Sequence, residues 1–179
     1  NMPGDDIENT LGFLRHAGQL KSLVRKGWTR FAIPDPESVA AHSYRMILMA
    51  MILGERANLD VLKLIKMCAL HDIPEAIVGD ITPHDRVPRS EKHDRESAAM
   101  RTIVRDLPEE KQFLELWMEY EAGTSEEARM AHQIDRIEMA LQASEYQAEN
   151  SDIDLSEFMN SVRESITDPD LEILFSRLT

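Results

Sequence analysis

The chain has 179 residues, 42% hydrophobic and 30% charged, which describes one globular domain large enough to bury a core without staples. Its formal net charge of -13 excludes general affinity for nucleic acid polymers or anionic membranes, so a small anionic substrate would need a local cation. The lone cysteine, Cys68, permits no internal disulfide and reads as a reduced, buried thiol in the run LIKMCAL, which fits a cytoplasmic location.

In chain order every segment reads as helix. Asn1 ahead of Met2 looks like a cloning remnant and is set aside. Asp5 or Asp6 can cap a first helix through Ile7, Leu11, Leu14 and Leu20, ending near Gly27. Residues 28–37 contain Pro34 and Pro36 and read as an extended connection. Ser38 caps the next helix, which ends around Gly54. Its uncharged stretch, residues 46–54, is too short to span a bilayer, and no signal peptide precedes it.

Asp60 opens a helix carrying Val61, Leu64, Ile65, Cys68 and His71, and Pro74 stops it while suiting the first position of a new turn. Residues 79–89, with Gly79, Pro83 and Pro88, form a loop of the kind that carries binding residues. A helix begins at Ser90 and runs to about Asp106. Another begins at Pro108 and runs through Phe113, Leu116 and Trp117 to Gly123. The pattern Thr124-x-x-Glu127 is a capping box for a long helix towards Asn150, and two short helices, 155–166 and 170–178, close the chain. No segment alternates like a strand, so the fold class is all-α.

The chemistry concentrates on His71-Asp72, adjacent at the end of an apolar helix. Neighbours on a helix point about 100° apart, so the pair can straddle one ion with two sides left to fill. His42 shares an inward stripe with Met46, Met49 and Leu53 and can supply a third ligand. Asp135 interrupts the apolar stripe Ala131, Ile134, Ile137 and Leu141, where a carboxylate is costly to bury without a cation or donors. Either His71 or Asp72 alone could be an ordinary helix end; the constellation points to a metal. Two imidazoles and two carboxylates suit a divalent first-row ion and leave positions open for water and substrate.

In the order His, His-Asp, Asp, and over the segments GWTRFAIPDPESVAAHSYRM, ALHDIPEAIVGDITP and QIDRIEMALQASEYQ, the chain resembles the HD-domain metal-dependent phosphohydrolases, more narrowly their small 5′-deoxynucleotidase group. The resemblance is strongest over residues 27–146. It implies one HD-domain helical bundle over 1–179 and hydrolysis of 5′-deoxynucleoside monophosphates by water activated on a divalent ion (Mn, Co, Mg or similar). The ligands it implies are His42, His71, Asp72 and Asp135. Phosphodiesterase or broad nucleotidase activity shares the same ligands, whereas a non-catalytic metal- or nucleotide-binding regulatory domain would not need Glu75 and Asp80.

Glu75 returns to the ligand side one turn after His71 and is assigned as general acid/base. Asp80 follows the flexible Gly79 and is assigned to substrate or a second divalent cation near Glu75. The resemblance further implies a tryptophan against the sugar, which Trp28 matches, beside a phosphate-binding arginine. Gly27 holds the expected arginine position. That leaves Arg25, Lys26 and Arg30, with Arg30 and Arg25 preferred because a guanidinium binds phosphate bidentately. Thr82, in the same loop as Asp80, completes the substrate-binding set. His132 and His84 lie where they can approach the site, while His16 and His93 read as surface residues. A homodimer is also implied, with Leu171, Leu174 and Phe175 as a candidate contact.

Overall fold

Ten α-helices and one 3-10 turn make up the described residues, 3–178 of this computed structural model, with no strand beyond an isolated bridge between Val24 and Ser38. The all-α expectation holds. The reading of Asn1 and Met2 lies outside the described residues. The helices are α1 (Gly4–Gln19), α2 (Lys26–Thr29), α3 (Val39–Arg56), α4 (Val61–Leu70), α5 (Glu75–Val78), α6 (Arg89–Val104), α7 (Glu110–Ala122), α8 (Glu126–Glu149), α9 (Ser156–Ser165) and α10 (Pro169–Phe175).

The long helix α8 is the spine. It packs against α3, α4 and α7 on one side and α9 and α10 on the other. Ala128, Ala131, Ala140 and Ala143 are fully buried along it, and short side chains let neighbouring helices approach closely. Met46, Leu64, Met67, Met100, Trp117, Ile134 and Ile137 fill the space between, so these three methionines are core filling, whereas Met51 is exposed. Cys68 is fully buried, and burial together with Asp135 pushes its thiol up to about 12, which leaves it inert.

Several boundaries differ from the sequence expectation for identifiable reasons. Helix α1 follows Pro3, with Asp5 and Asp6 inside its first turn rather than capping it, and ends at Gln19 because the chain must turn to pair Val24 with Ser38. Trp28 lies in the short helix α2, not in an extended segment. Helix α3 continues past Gly54, whose missing side chain admits α4: a Cβ there would stand 3.1 Å from Leu64 and 3.2 Å from Val61. Ser125, not Thr124, caps α8, and Glu127 instead accepts from Asp60 N–H and Lys63 Nζ, tying α8 to the start of α4. Leu171 and Phe175 are buried within the bundle and Leu174 is half-buried, so these residues are core rather than an exposed contact. The caps at Ser38 and Asp60 form as expected, each side chain accepting a backbone N–H three residues on.

Candidate metal centre

Three helices and one helix end deliver the site. Ser38 starts α3 so that His42 falls one turn in, on the buried face above Met46. Helix α4 ends at Leu70, and His71 and Asp72 follow in a tight turn, whose His71 carbonyl accepts from Trp117 Nε1 at 3.2 Å. Pro74 then starts α5, which places Glu75 at its first position, buried. Helix α8 brings Asp135.

These residues meet. Donor atoms of His42, His71 and Asp72 all lie within 4.8 Å of one another. His71 Nε2 stands 2.9 Å from Asp72 Oδ2, and His42 Nε2 stands 3.2 Å from Asp135 Oδ1 and 3.9 Å from Asp72 Oδ2. Two ligands about 2.1 Å from one ion stand about 3 Å apart at right angles and about 4 Å apart when opposite, so the 2.9 and 3.2 Å separations fit adjacent positions and the 3.9 Å one a wider angle. The imidazoles are oriented for it: His71 Nδ1 lies 2.8 Å from the Cys68 carbonyl and His42 Nδ1 lies against Glu138, so each ring's other nitrogen faces the cluster. Among the described residues the buried Nε2 atoms of both histidines and one oxygen of Glu75 have no hydrogen-bond partner. Buried polar atoms are rarely left so, and a cation between them is the group this donor set fits.

The electrostatics agree. Burial opposes charge on Asp72, yet His71, His42 and Arg25 hold its carboxyl down at about 2. Asp135 is likewise held low by His42 and Arg25 against burial. Burial and Arg25 oppose a charge on His42, but Asp135 and Glu138 outweigh them and raise it to about 9, so proton and metal compete for this ring. Glu75 goes the other way: burial first, then Asp72 and Asp80, push its carboxyl well above the usual range.

Of the other expected residues, Arg25 reaches the site, with Nη1 3.6 Å from Asp72 and Nε 3.6 Å from Glu37. Arg30, just after α2, is exposed. Trp28 is only 2% exposed. Its ring packs 5.3 Å from Tyr146 and 5.0 Å from Phe158, and Nε1 donates to Glu37 at 3.0 Å. It has no free face for a sugar; it holds Glu37, which in turn flanks Arg25. Gly79, with φ 77°, turns the chain between α5 and Asp80 in a conformation other residues rarely adopt. Asp80 accepts the Lys26 N–H at 2.6 Å, and Thr82 does not contact the ligands: its N–H and hydroxyl donate to Asp85, shaping the loop. His132 sits edge-on to Tyr120 at 4.5 Å, and Tyr120 in turn lies 5.5 Å from His71, while His84 is exposed. His93 is exposed, as the sequence suggests, and its ring stacks on Trp117.

Four residues were missed: Glu138, Glu37, Arg45 and Lys92. Glu138 left a signal, a charge at the fully buried position next to Ile137. Lys92, on α6, donates to the Ile81 carbonyl at 3.0 Å and its charge is felt by Glu75; nothing in its exposed-looking helix pattern announces it.

The HD domain profile matches residues 17–173. The chain belongs to the HD domain family. Among its relatives, the protein named 5′-deoxynucleotidase HDDC2 from Bos taurus is 44% identical over 99% of this chain and 87% of its own length. That named 5′-deoxynucleotidase hdd1 from Schizosaccharomyces pombe is 38% identical over 82% and 77%. A Pyrococcus horikoshii protein of solved structure superposes with a TM-score of 0.79 at 28% identity, covering 97% of this chain and 99% of that one.

Proposed function

We propose that residues 1–179 act as a single HD domain that hydrolyses 5′-deoxynucleoside monophosphates to deoxynucleoside and phosphate. The observation that carries this reading is the convergence of two buried, unpartnered imidazole nitrogens on Asp72 and Asp135, with a buried unpartnered carboxyl at Glu75 beside them. The names of the relatives supply the substrate class. His42, His71, Asp72 and Asp135 would hold a divalent ion such as Mn²⁺, Co²⁺ or Mg²⁺. Bound there, it would supply Lewis-acid stabilisation of charge on the transferring phosphoryl group.

The chain's own residues do the rest. Arg25, between Glu37 and Asp72, offers a guanidinium to the phosphate oxygens, and Lys92 adds a second positive charge on the α6 side. Glu75, whose carboxyl its surroundings raise, gives its proton to the 5′ oxygen as the phosphorus–oxygen bond breaks and water adds to phosphorus, and the proton that water sheds restores the Glu75 carboxyl. Asp80 has one oxygen held by Lys26 N–H, which fixes its direction and keeps the other for substrate or a second divalent cation. The test is phosphate release from mono-, di-, tri- and cyclic nucleotides with Mg²⁺, Mn²⁺ and Co²⁺. Release from dAMP, and little from cyclic nucleotides or triphosphates, is expected. A cyclic nucleotide as the best substrate would replace this reading with a phosphodiesterase.

The buried, inert thiol of Cys68 accords with a cytoplasmic location, and among the described residues no helix is long and apolar enough to cross a membrane. The homodimer finds its support on α3 rather than at the C-terminal helices. Tyr44, Leu48, Met51 and Ile52 form an exposed apolar stripe there, with Leu62 of α4 also exposed. Arg45, the one Lys, Arg, Asp or Glu in residues 38–54, turns inward to Glu138 and Glu145. On a chain of net charge -13, residues 38–54 carry no Asp or Glu to repel a second copy. Light scattering at micromolar concentration should give twice the chain mass for the natural protein and one chain mass for Leu48→Glu/Met51→Glu. A monomeric natural protein would refute the dimer.

A further inference from the structure

One helix grips His42 at both ring nitrogens. Helix α8 sets Asp135 3.2 Å from Nε2 and, one turn later, Glu138 against Nδ1. Glu138 is fully buried, and its second oxygen accepts from Arg45 Nε at 2.9 Å. Arg45 is itself spread along the same helix, donating to Gln142 at 2.5 Å and to Glu145 at 2.8 and 2.7 Å. Its five donors match such a row, and its constant charge keeps Glu138 paired in the interior.

A carboxylate only accepts hydrogen bonds, so the imidazole nitrogen facing it carries the hydrogen. In the neutral ring the lone pair of His42 is then on Nε2, towards Asp72 and Asp135. His71 reaches the same state through a backbone carbonyl, Cys68 O at 2.8 Å, which no side-chain substitution can remove. His42 depends on one side chain.

We propose that Glu138 is the positioning residue of the metal centre: with Arg45 behind it, it fixes the tautomer and ring direction of His42 so that Nε2 can ligate. Glu37, His42 and Glu138 also lie close enough to hold an ion among themselves. That place is already filled by donors. Trp28 Nε1 donates to Glu37 at 3.0 Å, Arg25 Nε stands 3.6 Å from it, and Arg45 and the His42 Nδ1 hydrogen occupy Glu138. The group therefore supports the metal centre and is not a second one.

The inference rests on the metal centre proposed above, and calorimetric titration with Mn²⁺ separates the two. If the natural protein binds no divalent ion, the centre itself fails. If it binds, Glu138→Gln should weaken Mn²⁺ by about 10–100-fold, because the amide presents a donor to one of two donors, and Glu138→Asp should weaken it less. Turnover of Glu138→Gln should climb as Mn²⁺ is raised, which a merely misfolded variant would not show. In the natural protein loaded with diamagnetic Zn²⁺, ¹⁵N NMR of the His42 ring should show Nδ1 protonated and Nε2 bare. An unchanged Mn²⁺ affinity in Glu138→Gln, or a hydrogen on Nε2 of the zinc-loaded protein, would overturn the assignment.

Discussion

Glu75→Gln is expected to lower the turnover of a deoxynucleoside monophosphate by about 10²–10⁴-fold, the range a positioned acid or base contributes, with little change in KM. The substitution keeps the side chain's length and one accepting oxygen, so the tight turn after His71 has no cause to move. What it removes is the exchangeable proton. Glu75 is buried with one oxygen unpartnered, and burial, then Asp72 and Asp80, raise its carboxyl well above the usual range. A raised carboxyl is protonated further up the pH scale, which is the form that donates to a leaving oxygen. Activity of the natural enzyme should therefore fall as pH rises through the elevated Glu75 pKa. Glu75→Gln should lack that limb while remaining slow throughout. Turnover close to the natural value in the variant would remove Glu75 from the chemistry.

Asp72→Ala should lose hydrolysis and the divalent ion together. Its carboxylate has donor atoms of both histidines close by, 2.9 Å from His71 Nε2 and 3.9 Å from His42 Nε2, so it is the shared corner of the cluster. Losing an outer partner of a ligand costs about 10–100-fold in metal affinity, and losing the ligand itself should cost more than about 100-fold. Removing Asp72 also takes away the carboxylate 3.6 Å from Arg25 Nη1 while Nε keeps Glu37 at 3.6 Å, so the guanidinium loses the partner that aims it at the site and added metal should not restore full rate. His71→Ala should match it in metal content, since the ring occupies the other side of the same corner. Elemental analysis showing a full complement of metal in both variants would sink the ligand assignment. So would hydrolysis by Asp72→Ala at the natural rate.

The candidate ligands could be named from one dimension because each breaks a local rule there. Asp135 is a carboxylate on an apolar stripe, His42 a titratable group on an inward one, and His71-Asp72 ends a helix whose other residues are apolar. Glu138 breaks the same rule, but only the structure shows it: Arg136, two positions earlier, is exposed while Glu138 is fully buried. Trp28 shows the opposite failure. A tryptophan upstream of the first histidine matches the wall of a sugar site, but Tyr146 and Phe158, more than a hundred residues away, close over its ring.

The sequence by itself determined the all-α class, the caps at Ser38 and Asp60, the buried Cys68 and the four candidate ligands, because these follow from periodicity, backbone restrictions of Pro and Gly, and the cost of burying charge, all local properties. Tertiary structure alone decided which of Arg25, Lys26 and Arg30 meets Asp72, which way the His42 ring turns, and which apolar faces stay uncovered. Leu171 and Phe175 were as apolar as Leu48 and Met51, yet the first pair is buried and the second is exposed on α3. A helix pattern states that a face is apolar; whether another helix of the same chain covers it is set by the path of the chain between them.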